Sequence, residues 1–124
     1  NFINEYPCPS ANNFEPAPGQ SLADFLTEGA KSFTGSVSGL ALEVDGVSVT
    51  NPASYKVVSK LFYFTGEADL SNCLDVCITG EPQSAVSGGF FIMIKPLSKG
   101  IHTLHYRSMT GKSPQDGTYK IRVK

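Results

Sequence analysis

The sequence has no tryptophan, only two methionines and two histidines, and three cysteines. It also lacks a block of like charge. Ten Lys and Arg face eleven Asp and Glu, for a formal net charge of −1. Its densest basic stretch is "KIRVK", 120–124, where the cations alternate with apolar residues. Neutralising several nucleic-acid phosphates takes grouped cations, so nucleic acid is not an expected partner. The longest apolar run, "GGFFIMI" at 88–94, is far too short to span a membrane. The nucleophile elbow GxSxG, the Walker loop, the zinc motif HExxH and the dinucleotide fingerprint GxGxxG are all missing. No cofactor and no metal are expected, and no catalytic residue is assigned.

The cysteines are too few and wrongly spaced for a zinc site. "CLDVC" places three residues between Cys73 and Cys77, and neither histidine lies nearby in sequence. A disulfide is expected instead, Cys73–Cys77 or Cys8 to one of them, which implies an oxidising compartment.

What is present is turn-rich and aromatic. Twelve Gly and eight Pro punctuate a chain carrying eight Phe and five Tyr. A length of 124 residues suits one domain with one core. The chain opens on Asn1 and reads as taken up mid-sequence, so an upstream strand is expected to be missing. Residues 1–19, with "YPCPS" and "EPAPG", are expected to lie extended over the rest.

"SLADFLTEGAKSF", 21–33, predicts one helix. Leu22, Phe25, Leu26, Gly29 and Phe33 recur at helical spacing, Ser21 with Asp24 forms a capping-box-like start, and Gly35 suits the stop. Beyond it the apolar period changes to two. "LALEVDGVSVT", 40–50, predicts a hairpin turning at Asp45-Gly46. Strands are also expected over 54–66, 90–97, 101–107 and 118–123. Long polar loops are expected at 67–88 and 108–117. Strands without a βαβ rhythm predict a mainly β fold, an antiparallel β-sandwich of immunoglobulin-like or jelly-roll-like kind with one short N-terminal helix and strands over 38–124.

"GIHTLHYR", 100–107, carries both histidines. On a strand, residues three apart point to opposite faces, so His102 and His105 cannot converge on one ion. His102 shares a face with Leu104 and Tyr106 and is expected to be half-buried on a backbone carbonyl. His105 shares the other face with Arg107.

The stretches "LEVDGVSVTNPASYKVVSKLFYF" and "AVSGGFFIMIKPLSKGIHTLHYRS" resemble a group of bacterial secreted proteins of unknown function. The likeness runs over roughly residues 38–124. Its shared pattern is matched here by Ala85, Val86, Ser87, Gly89, Lys95, Pro96, Leu97, Gly100, His102, Thr103 and His105, then by Tyr119 and Val123. Gly88 stands at an acidic position of the pattern, and Phe90-Phe91 at its aromatic pair. The resemblance implies fold and export, secreted or periplasmic, but no reaction.

Two functions follow as expectations. The first is a non-catalytic binding or interaction module for a protein or carbohydrate ligand, with contacts drawn from His105, Tyr106, Arg107, His102, Asp75 and Glu81. The second is a hydrolase using His102 or His105 with a carboxylate from 67–81. Oligomeric state is left open.

Overall fold

The computed structural model describes all residues from Asn1 to Lys124. The chain is mainly β, with two antiparallel sheets and one α-helix, as the expected β-sandwich class requires. It divides into two compact units, each assembled from two stretches of sequence: Asn1–Thr34 with Val57–Gly89, and Gly35–Lys56 with Phe90–Lys124. No helix is long and apolar enough to cross a membrane.

In the first unit the N-terminal stretch is not merely extended chain. Phe2–Tyr6 forms β1, and the helix α1 follows at Leu22–Gly35. The predicted cap is present: the Asp24 amide donates to the Ser21 hydroxyl at 3.1 Å, and that hydroxyl donates to the Asp24 carboxylate at 2.7 Å. The central strand is Gln83–Phe90, flanked by β1 on one side and by the short strands Lys56–Val58 and Phe62–Phe64 on the other.

One face of this sheet packs on α1. Leu26, Ala30 and Val86 are fully buried there, and Phe2 stacks on Phe33 with ring centroids 4.2 Å apart. Burying a side chain such as Leu26 stabilises by about 2 kcal/mol. The approach is close enough to require glycine: a Cβ on Gly88 would lie 3.0 Å from the Ala30 carbonyl oxygen and from Thr34 Cγ2. Asn4, buried at the same contact, donates to the Leu26 carbonyl at 3.0 Å.

This packing corrects the strand expected at 90–97. The strand lies at Gln83–Phe90 instead, and 91–98 has no regular structure. Met93, in the middle of the apolar run, is 96% exposed. Small residues are what fit beneath a closely packed helix, and they carry little hydrophobic signal. The same finding shortens the expected 67–88 loop, which also contains a 3-10 turn at Ala68–Asn72.

In the second unit β2 (Val37–Val44) turns through Asp45-Gly46 into β3 (Val47–Ser48), as predicted. Both turn residues have positive φ, 51° and 77°, the geometry that matches hairpin twist. Numbering the first unit's later strands β4 (Lys56–Val58), β5 (Phe62–Phe64) and β6 (Gln83–Phe90), the last two strands are β7 (Gly100–Thr110) and β8 (Ser113–Val123). The sheet order is β3-β2-β7-β8.

β7 and β8 form one long hairpin, paired without a register shift from Gly100↔Val123 to Thr110↔Ser113. The polar loop expected at 108–117 is therefore the hairpin's tip. Ser, Thr, Gln and Asp satisfy its two exposed faces, so the tip needs none of the apolar alternation by which a strand is recognised. Pro114 is tolerated because β8 is an edge strand, where an N–H can face solvent.

Candidate functional site

The hairpin turn at Asp45 does more than reverse the chain. Its left-handed backbone aims the carboxylate at β7, where it accepts two bonds. Oδ1 accepts from the Thr103 amide at 2.8 Å, and Oδ2 lies 2.7 Å from His102 Nδ1. The Asp45 amide in turn donates to the Thr103 carbonyl at 2.8 Å. The other ring nitrogen of His102, Nε2, meets the Ser98 carbonyl oxygen at 2.8 Å.

A carbonyl oxygen can only accept, so Nε2 carries a proton. The carboxylate favours a second proton on Nδ1. His102 is therefore held toward the imidazolium form, its pKa raised first by the Asp45 hydrogen bond and then by Ser98. Asp45 is lowered reciprocally, chiefly by His102 and next by Thr103. The expected backbone-bonded His102 is thus found, with only 9% of its surface exposed, and with a carboxylate partner in addition. A carboxylate–imidazole pair is two-thirds of a hydrolytic triad. Here the third place holds a carbonyl oxygen, which is no nucleophile, and neither ring nitrogen keeps a free lone pair for a substrate proton.

His105 lies on the opposite face of the same strand. Its Nε2 is 3.1 Å from Asp116 Oδ1, and its Nδ1 is 3.8 Å from Glu43 Oε2. Register places Arg107, Lys120 and Arg122 on this face with it. The result is a mixed-charge, solvent-facing surface.

The His102 face is different in kind. Alternation along the uninterrupted hairpin puts His102, Leu104, Tyr106, Ser108 and Thr110 opposite Ile121, Tyr119, Gly117, Gln115 and Ser113, with no Asp, Glu, Lys or Arg among them. Tyr106 faces Gly117 directly, and its ring lies over the glycine. A Cβ at 117 would sit 2.5 to 2.6 Å from the ring and hydroxyl. Leaning across Gly117, Tyr106 stacks on Tyr119, with ring centroids 5.7 Å apart and planes 20° from parallel. Tyr119 remains 60% exposed. Tyr119's phenol, first through its charge and then through a hydrogen bond, holds the Tyr106 proton more tightly than usual.

The first unit carries a second cluster. Glu5 is buried on the sheet face away from α1, beside Asp75. Burial first, then the Asp75 charge and their shared hydrogen bond, push Glu5 up to about 7. The disulfide joins Cys8 to Cys77, the second of the expected pairings, which corrects Cys73–Cys77; Cys73 is an exposed free thiol. Buried Gln83 ties the same region together, donating to the Pro7 carbonyl at 2.7 Å and to the Cys77 carbonyl at 2.9 Å, while accepting from the Thr79 amide. Donor atoms of Glu5, Asp75 and Cys77 lie within 4.8 Å of one another. A disulfide sulfur is not a thiolate ligand, so two carboxyls sharing a proton are what remains.

The six residues named from the sequence as contacts therefore separate. His102 and Tyr106 share one face of the hairpin, His105 and Arg107 the other, and Asp75 and Glu81 belong to the first unit. Sequence reasoning missed the partners that define each face: Asp45, Asp116, Tyr119 and Gly117. Asp45 was visible only as a turn residue, and Tyr119 only as one apolar position in an alternation.

No family model, characterised protein or solved structure matches this chain.

Proposed function

We propose that the protein is a non-catalytic binding module that works outside the cytoplasm, secreted or periplasmic. The observation that carries this reading is the state of His102. Both of its nitrogens are committed to acceptors of its own unit, while the neighbouring Tyr106–Tyr119 pair is left open to solvent on the same sheet. A general base needs a reachable lone pair. A recognition surface needs exposed, rigid aromatic area, and stacked tyrosines backed by a paired sheet supply it. The Cys8–Cys77 bond supports an oxidising location, as does the resemblance to exported bacterial proteins.

The test is a hydrolase panel of chromogenic esters, peptides and glycosides, run beside a glycan array and protein pull-down on the intact chain. The expected result is ligand capture without turnover. Turnover that disappears in His102→Ala would overturn the reading.

A further inference from the structure

We propose that the Tyr106–Tyr119 face of the β7–β8 hairpin binds a neutral carbohydrate chain, with a pyranose ring seated on Tyr119. This rests on the binding-module reading and names its ligand class.

The argument starts from how charge is partitioned. Every Arg, Lys, Asp and Glu of the hairpin's paired residues, from Arg107 and Asp116 to Lys120 and Arg122, lies on one face; the other carries only His102, whose charge is answered by Asp45 at 2.7 Å. An anionic ligand, whether polyuronate, phosphopeptide or nucleic acid, would choose the side that carries Arg107, Lys120 and Arg122. The Tyr106–Tyr119 face offers something else. A pyranose ring presents a flat patch of C–H bonds rimmed by hydroxyls. The patch lies well against the electron-rich face of a phenol, and the hydroxyls need neutral donors and acceptors. Tyr119 gives the exposed ring, and Tyr106 holds it from behind by stacking. Ser108 and Gln115 form the adjacent pair on the same face, with Thr110 and Ser113 one step further. These hydroxyls and an amide lie along one uninterrupted ladder, which suits successive units of a chain. A protein partner normally meets a buried apolar patch with a charged or polar rim. Here the polar groups run outward in one direction from the aromatic pair, and the one charged pair of this face, His102 with Asp45, lies at the opposite end, beyond Leu104.

Gly117 makes the arrangement specific. Any side chain at that position would occupy the space of the Tyr106 ring, so the platform depends on a glycine in the middle of a strand. Glycine weakens a strand unless another group covers it, and Tyr106 does so.

The experiment is affinity electrophoresis of the intact chain through gels containing one polymer each: β-glucan, xylan, galactomannan, and polygalacturonate as the anionic control. Retardation by at least one neutral polymer and none by polygalacturonate is expected. Tyr119→Ala should weaken retardation about tenfold, roughly the loss of one aromatic contact worth 1.4 kcal/mol. Tyr119→Trp should keep it or strengthen it. Arg107→Ala, on the other face, should leave it unchanged. Thermal unfolding of each variant separates lost binding from lost folding. Absence of retardation by every neutral polymer overturns the proposal, as does equal retardation of Tyr119→Ala, or capture of a protein alone through this face. Reducing ends released from a retaining polymer would instead overturn the non-catalytic reading and leave the sugar class standing.

Discussion

Asp45 and His102 are 57 positions apart in the sequence and 2.7 Å apart in the fold. The contact closes the β2–β3 turn onto β7 and fixes the protonation of both side chains. It acts as a clasp whose strength depends on pH.

Its sign can be worked out group by group. His102 has a raised pKa in the folded protein, so its contribution is complete below its ordinary value of 6.5 and is lost as pH rises through the folded value. Asp45 has a lowered one, so its contribution is complete above the ordinary 3.8 and is lost as pH falls through the folded value. The clasp is therefore fully closed between pH 3.8 and 6.5. Protection of the Thr103 amide, its exchange compared with that of unstructured chain at the same pH, should be greatest in that window and smaller on either side. His102→Asn should remove the alkaline loss of protection.

Glu5 titrates with the opposite consequence for its acid form. Its folded pKa of about 7 lies above the ordinary 4.5, so the folded state favours the proton. Stability contributed by neutral Glu5 is complete below pH 4.5 and is lost as pH rises through about 7. Glu5→Gln should be more stable than the native chain at pH 8, by about 2 kcal/mol once solvent screening at exposed Asp75 is discounted. Urea unfolding at pH 4.5 and pH 8 measures it: the gain should vanish at the lower pH.

The disulfide closes a loop of 69 residues. On the chain-entropy estimate that is worth about 4 kcal/mol. Cys8→Ser and Cys77→Ser should each lower the urea midpoint by a corresponding amount, whereas Cys73→Ser should leave it within about 0.5 kcal/mol. Alkylation of the unreduced protein should label Cys73 alone. Label at Cys8 would contradict the pairing.

Gly88 tests the helix–sheet contact. Gly88→Val forces two methyl groups toward the Ala30 carbonyl and Thr34, and overpacking of this kind costs about 1–3 kcal/mol. Gly35→Ala, where nothing lies within 4 Å of the added Cβ, should be tolerated. Thermal midpoints of the two variants make the comparison.

The helix and the Asp45-Gly46 turn were legible because each rests on local chemistry: a cap three residues wide, or two adjacent residues with positive φ. The strand Gln83–Phe90 was not, since Ser, Ala and Gly are selected there by the distance to a helix that the sequence does not display. Phe90 to Ile94 misled in the opposite way, as large apolar residues that are largely outside the ladder. His102 was placed correctly on its strand and on a carbonyl, because alternation fixes the face. Its carboxylate partner depends on how β2 docks on β7, a relation between distant segments that no local pattern encodes. The disulfide is similar: "CLDVC" draws attention to near neighbours, while β1 pairing with β6 carries Cys8 to Cys77.

The order in which the ribosome releases this chain gives the interleaved units a further meaning. Phe2 pairs with Gly88, so β1 emerges long before the strand that becomes its partner. At roughly 5–20 residues per second that wait lasts several seconds. During it, Phe2, Ile3 and Tyr6 are open to wrong neighbours and to chaperones. No single cut in the gene yields either unit whole, because each is completed by a stretch lying beyond part of the other. The two units are therefore inherited and shuffled together.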